Sequence, residues 1–445
     1  MKIFSKKIKV TALALSAVMI FSACGNGGGD TQTPAATPTP NAPVTAPSGG
    51  ETGSNRPFEG QTLTLGIWRG NEQEFAAIEL VRLDFEEMTG ASIEWREYSD
   101  LNMEIQMEFI AGGLAPDAFY VNSDMAEFFA SSGVLMPLDP TLFNSSAFYQ
   151  NVLDTFVFDG TIYAIPKDQS SLARYVNVGL LNAVGFELSD IPADVESYLE
   201  FLPVLQAALD ENFGVGTVTA ASGVFELART LHWINRGTEP VSADGRSNLS
   251  DPSVVAHLEF IRSLFDTGAM LTPDLMGAGW NGEAFGSELA VIMEEGNWVY
   301  NVLRNEFPDV NFEIIDMPTY QGVSSSMIFT VGWGIYANSP NQELAAEWIR
   351  FKTGPEGMYT WTTAAGPLPT RPDVAQRMAA NLSPGLNTHI AQIPNATPWV
   401  MGEFTSIIAQ AHMNYMTVVI HEGSMSVADA MTAADAQANM QIDFR

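Results

Sequence analysis

Apolar residues along this chain follow two spacings that take turns. Leu63, Leu65 and Ile67 alternate with their neighbours over residues 62–68, the period of a half-buried strand. After the turn Arg69-Gly70-Asn71-Glu72, the residues Phe75, Ile78, Val81, Phe85 and Met88 recur at three and four, which predicts one apolar stripe of a helix. Gly90 is placed to end that helix. A strand over 92–97 and a helix over 102–111 follow, and the turn 112–117 leads into an apolar strand over 118–121. This order predicts a parallel sheet with right-handed crossovers, hence an α/β fold. A helix through Phe128 comes next.

The middle of the chain carries a different pattern. Within residues 161–177, two short apolar runs, 162–165 and 172–176, read as buried strands separated by the polar stretch 166–171. Pro166 withholds a ladder donor and pushes Ile165 toward extended geometry, so the sheet is expected to break there. Strand and helix patterns alternate on both sides of the stretch. The chain is therefore expected to cross here between two lobes, with function in the cleft. Beyond it, helices are predicted over 195–210, 225–234 and 252–267, the last with Val255, Leu258, Ile261 and Leu264 on one face. Residues 287–293 and 312–315 read as short buried strands and 327–336 as another β-like run. A helix over 340–352 turns Leu344, Ala345, Trp348 and Ile349 inward. Residues 363–372 are turn-rich, and from Val374 the chain is mostly helical.

The N-terminal region departs from both spacings. Lys2, Lys6, Lys7 and Lys9 precede an apolar run over 10–21 that is too short to span a bilayer comfortably. Residues 1–23 therefore read as a secretory signal. Its end, Ser22-Ala23-Cys24-Gly25, resembles the bacterial lipobox, which implies lipidation of Cys24. Residues 24–58 are rich in Gly, Thr, Pro and Ala and form a flexible tether with too little apolar content to fold. Cys24 is the single cysteine, so an intrachain disulfide and a cysteine metal site are excluded. At 445 residues the chain fits two domains of about 150–200 residues. Its 20 Lys+Arg against 52 Asp+Glu, a net charge of −32, argue against nucleic acid and anionic membrane surfaces as partners.

A series of short motifs in fixed order resembles the extracellular solute-binding proteins of ABC importers, family 1, the group that includes maltose-binding protein. They are Gly66-Ile67-Trp68, Thr89-Gly90, the turn Gly112-Gly113-Leu114-Ala115-Pro116-Asp117 and Gly133-Val134-Leu135-Met136-Pro137-Leu138-Asp139. Asp159-Gly160-Thr161-Ile162-Tyr163-Ala164-Ile165-Pro166, Glu294-Glu295-Gly296-Asn297-Trp298, Glu347-Trp348-Ile349-Arg350-Phe351 and Gly366-Pro367-Leu368-Pro369-Thr370-Arg371 complete the set. The resemblance runs from Thr62 to the C-terminus. It implies a two-lobed periplasmic-binding-protein-like fold with a discontinuous chain and a hinge: 59–167 plus 318–366 in one lobe, 168–317 plus 367–445 in the other. It also implies a monomeric, lipid-anchored subunit on the outer face of a bacterial cell membrane, delivering a carbohydrate, an oligosaccharide, to an ABC permease. The chain departs from the family at Arg174-Tyr175-Val176-Asn177, where Tyr-Tyr-Asn is usual, and over 286–293.

A reversible sugar site needs flat aromatic faces against pyranose C–H groups, and carboxylates, amides or Arg for paired hydroxyls. Trp348, Trp95 and Trp361 read as packing residues. Trp68 stands between site and core, at the end of a strand where ligands of parallel sheets sit. The resemblance implies stacking positions at Trp298 and Trp399, while Trp233, Trp280 and Trp333 are left open. Arg69, Glu72, Asn122, Asp124, Asp168, Gln169 and Glu295 are the polar candidates, with Ser123 beside them. Neither a metal nor a cofactor is expected. Catalysis finds little support: the five histidines are dispersed, without an H-E-x-x-H pair, and no G-x-S-x-G elbow occurs. The same fold binding a peptide or polyamine is the alternative, followed by a secreted glycoside hydrolase, since carboxylate pairs are close only in space.

Overall fold

The computed structural model describes residues 56–70, 72–110, 115–213, 217–221, 240–399 and 402–444. The signal segment 1–23, Cys24, the tether up to residue 55, the helix expected over 225–234 with Trp233, and part of the turn 112–117 lie outside these residues. No described helix is long and apolar enough to cross a membrane.

The opening αβ pattern is present. Strand Thr62–Ile67 pairs in parallel with Ser92–Glu97 and with Ala118–Asn122, with helices Glu72–Thr89 and Leu101–Ile110 between them. Helix Glu72–Thr89 buries Ile78, Val81 and Phe85 of the expected stripe, while Met88 is 45% exposed. Gly90 follows in the left-handed region at φ 77°, as a helix terminator requires. Tryptophans and phenylalanines lock this layer: Trp348 makes edge contacts with Phe85 at 5.2 Å and Trp333 at 5.8 Å, and all three are fully buried.

A 10-stranded mixed sheet continues from these strands through the whole described body. Ala118–Asn122 pairs antiparallel with Met327–Ile335, which pairs antiparallel with Ala164–Asn177. The far half of Ala164–Asn177 then pairs with Ala290–Gly296 on one edge and Phe312–Ile315 on the other. Ala290–Gly296 is the strand predicted over 287–293. It starts three residues later, because helix Asn281–Gly286 and a turn with Glu288 at φ 59° occupy the preceding residues.

Residues 164–177 form one unbroken strand, and the break expected at Pro166 does not occur. The ladder accommodates the proline through an irregularity. Asp168 pairs with Val331 and Pro166 with Gly332, so Lys167 is the extra residue of a bulge. The Thr370 hydroxyl donates to the Pro166 carbonyl at 2.9 Å, which satisfies that acceptor from outside the ladder. On the same strand, Gln169 exchanges both backbone hydrogen bonds with Leu368, at 3.0 and 2.8 Å. Three chain segments thus run side by side: 164–177, 327–335 and 366–370.

These segments connect two hydrophobic cores. One gathers Leu63, Phe119, Ile165, Trp333 and Trp348, and the other Leu172, Leu202, Leu258, Ile292 and Ile408. The chain leaves the first core along Ala164–Asn177 and re-enters it along Met327–Ile335, where Met327 belongs to the second core and Trp333 to the first. The result is a two-lobed α/β body whose lobes share a continuous sheet.

Helix Pro384–Gln392 is pinned to the crossing strand by one imidazole. His389 is fully buried; its Nδ1 lies 2.8 Å from the Ser171 carbonyl and its Nε2 2.9 Å from the Tyr175 hydroxyl. A carbonyl only accepts, so Nδ1 carries the proton and Nε2 accepts from Tyr175. Burial pushes the imidazole down from 6.5 to about 4, the bond to Ser171 opposing part of the shift. A base whose pKa is lowered by folding takes up its proton first in the unfolded state. Its contribution is complete above about pH 6.5 and is lost as pH falls toward about 4, on the order of 3 kcal/mol. Urea denaturation across this pH window should show that loss, and His389→Gln should flatten the slope; an unchanged slope would contradict the buried neutral imidazole.

Candidate functional site

The crossing strand exposes alternate residues to a cleft between the lobes, with a volume of about 570 Å³. Asp168 and Ser170 face it, while Gln169, between them, points to the opposite side and donates to the Pro369 carbonyl at 2.7 Å. The first lobe contributes Trp68, Glu72, Gln73 and Glu74 from the end of its first strand and the start of its first helix, and Trp361 from helix Pro355–Ala365. The second lobe contributes Trp298 and the helix Val299–Glu306.

Each aromatic is held by a neighbour. Trp68 meets Tyr120 edge-on at 4.8 Å, and Tyr120 meets Trp333 at 4.5 Å, so the cleft wall continues into the first core. Trp298 lies edge-on to Phe329 at 5.8 Å and is 38% exposed. Its indole covers the backbone of Gly296 so closely that a Cβ there would come within 2.1 Å of the ring. Glycine at 296 is therefore what lets Trp298 lie where it does.

The cleft floor is a buried ionic cluster. Lys167 and Asp168 form an ion pair and are 4% and 7% exposed. The Trp361 indole N–H donates to Asp168 at 2.7 Å, and the Lys167 ammonium stands 4.5 Å from the Tyr120 ring and 4.6 Å from the Trp361 ring. Beneath it, Lys352 is fully buried 4.5 Å from the Trp361 ring, and its Nζ has no hydrogen-bond partner among the described residues. Burial pushes the Lys352 ammonium well below its ordinary 10.5; the nearby Lys167 adds to this and Asp168 opposes it.

Asn297, Asn301 and Asn305 recur at four on one face of the second lobe's turn and helix, and all three line the cleft. Asn297 is 3% exposed; its amide N–H donates to the Gly366 carbonyl at 3.1 Å, while its Oδ1 has no partner among the described residues. Among the described residues no group of His, Cys, Asp and Glu is arranged to hold a metal ion.

Of the residues singled out in the sequence, Trp68, Glu72, Asp168 and Trp298 line this cleft together. The others sit elsewhere. Arg69 is exposed, 3.5 Å from Glu72 and 3.4 Å from Glu97, with its guanidinium over Phe75. Asn122 reaches the Asn102 side chain at 3.5 Å, and burial raises the Asp124 carboxyl above its ordinary value. Glu295 is buried in the second lobe, where Asn281 donates to it at 3.2 Å. Trp399 packs against the second core and bonds through its backbone to Ile328. Arg174, where the sequence departs from Tyr-Tyr-Asn, is also a buried second-lobe residue, donating to the Asp316 and Pro192 carbonyls at 2.8 Å. Lys167, Ser170, Gln73, Glu74, Trp361 and the three asparagines are cleft residues that sequence reasoning missed. The i, i+4, i+8 asparagine spacing at 297, 301 and 305 was a readable signal for the last group.

Lys352 also yields a stability prediction. Because folding lowers its pKa, the charged form biases the protein toward unfolding, and stability rises with pH through the window between the lowered native value and 10.5. Lys352→Met removes both that bias and an unpartnered buried nitrogen, and should stabilise the protein at pH 7 by about 1–3 kcal/mol in urea titrations. A destabilised variant would show that the ammonium has a partner.

Residues 82–388 match the model of a family described as bacterial extracellular solute-binding protein. No curated protein matches the chain. Among solved structures, the GacH receptor of Streptomyces glaucescens GLA.O, determined unliganded and with acarbose and an acarbose homologue, is 20% identical. The alignment covers 84% of this chain and 97% of that one, with a TM-score of 0.72, which shows a common two-lobed fold. The matched family is one of binding proteins that work outside the cell, not of enzymes. By the span of that match, more than half of its length, the chain is a member of the bacterial extracellular solute-binding proteins.

Proposed function

We propose that this protein is the lipid-anchored substrate-binding subunit of an ABC importer, binding an oligosaccharide in the cleft and delivering it to the permease. The observation that carries this reading is the pairing of indoles from opposite lobes: Trp68 and Trp361 on one side, Trp298 on the other. Aromatic faces suit the C–H faces of pyranose rings, and Asn301, Asn305, Gln73 and Asp168 supply amide and carboxylate groups for hydroxyls. The GacH receptor, solved in complex with acarbose, supports a carbohydrate in the same fold. Ligand binding draws the lobes, each built around one of the two cores, together by flexing of the crossing strands, and the closed form is the one the permease recognises. Cys24, at the end of the signal segment, carries the lipid, and the tether holds a monomeric body away from the membrane.

A second reading has an observation of its own. Among the described residues, Glu72, Glu74, Asp168 and Glu306 line the cleft against the single cation Lys167, which favours a polyamine over a neutral solute.

Thermal-shift measurements against mono- and oligosaccharides, spermidine and a mixed peptide set separate the two. A rise in melting temperature with an oligosaccharide is expected; a rise with spermidine alone would overturn the carbohydrate reading. Trp298→Ala should weaken binding of the responding sugar by about tenfold or more by calorimetry. Gly296→Ala, which displaces the same indole without removing it, should weaken it in the same direction, and wild-type affinity in both variants would remove Trp298 from the site.

A further inference from the structure

A smaller cavity of about 170 Å³ adjoins the cleft, and the two share Asn297, Asn301 and Gly366 in their walls. Their chemistry differs. The cleft carries four carboxylates and a lysine, whereas none of the described residues lining the smaller chamber is charged. Tyr300 and Tyr359 offer ring surface there, Leu382 and Leu386 aliphatic surface, and Thr363 a hydroxyl. The Tyr359 ring is held by the Arg377 guanidinium at 3.5 Å, itself 2.9 Å from Glu356.

The wall between the two compartments is built with little latitude. Gly366 sits at φ 96°, where L side chains are strained, and a Cβ on it would meet the Asn301 amide at 3.0 Å. Its carbonyl takes the Asn297 amide N–H at 3.1 Å. This leaves the Asn297 Oδ1, buried at the junction, as an acceptor without a donor among the described residues. A buried acceptor of this kind costs free energy unless something supplies an O–H or N–H.

We propose that the smaller chamber is a second compartment of the binding site: it takes a neutral, hydroxyl-bearing terminal ring of a solute whose remainder lies in the cleft. The inference rests on the carbohydrate reading above and deepens it by making this chamber the part of the protein that measures ligand length. A hydroxyl at the junction donates to Asn297 Oδ1, and the ring packs its C–H face on the tyrosine and leucine surfaces. A disaccharide fills the cleft alone; a longer chain reaches past Asn297.

The test uses calorimetry on the whole protein with paired di- and tetrasaccharides of the gluco-, xylo-, manno- and galacto-oligosaccharide series. In the series that binds, the wild type should hold the tetrasaccharide at least about tenfold more tightly than the disaccharide. Thr363→Trp, at an exposed position on helix Pro355–Ala365, fills the chamber and should bring that ratio to about one with disaccharide affinity unchanged. Asn381→Trp, also exposed and following helix Pro372–Ala379, is the second variant should the first not fold. Three results overturn the chamber while leaving the carbohydrate reading intact: equal wild-type affinities for both lengths, an unchanged ratio in a folded variant, or an equal loss for both lengths. Absence of binding to every sugar overturns the two together.

Discussion

One strand belongs to two hydrophobic cores at once, and the rest of the molecule is arranged around that constraint. Residues 164–177 bury Ile165 in the first core and Leu172 and Val176 in the second, with the return strand alongside through Ser171. A strand shared in this way cannot end at its proline without exposing ladder groups between the lobes. The bulge at Lys167 and the bond from Thr370 to Pro166 keep it continuous. The same irregularity turns Lys167 and Asp168 toward Tyr120 and Trp361, so the solution to a backbone problem also builds the cleft floor.

That floor is electrostatically expensive, and its neighbours offset the cost. A buried ion pair contributes to stability only where further hydrogen bonds and favourable surroundings compensate for desolvation. Here the Trp361 N–H and two aromatic faces provide them, while Lys352 below is driven toward its neutral form. The cluster joins the crossing strand to helix Pro355–Ala365, whose far end leads into the third crossing segment. Asp168 and Trp361, which line the cleft, are thereby connected to all three segments along which the lobes meet.

Much of the fold was legible because burial imposes a period. The parallel αβ layer from Thr62 to Asn122, the helix carrying Leu344 and Trp348, and the mostly helical stretch from Val374 onward all follow from apolar spacing. The misjudged break at Pro166 has a plain cause: proline removes one donor, but whether a ladder needs that donor depends on the partner strand, which here lies over 150 residues away at Gly332. The site was legible in part. Trp68 stands between site and core by its place at a strand end, Trp298 is implied by the family resemblance, and Asp168 belongs to the crossing; all three line the cleft. Gln169 shows the limit, since strand neighbours face opposite sides and the sequence does not say which of the two faces the cleft.

By itself, then, the sequence determined the α/β class, the two-lobed organisation through its ordered motifs, the acidic character and the aromatic candidates. The class and the acidic character depend on local spacing and on composition, which need no knowledge of partners. The two lobes and the stacking positions Trp298 and Trp399 are instead implied by the family resemblance of the motifs. Only the tertiary structure decided that the crossing is one continuous strand, that Lys167 and Asp168 are a buried pair beside Trp361, and that Asn297 stands between a charged cleft and an uncharged chamber. Those features join residues far apart in the chain, and their energies depend on desolvation, ring orientation and facing strands, none of which is encoded at any single position.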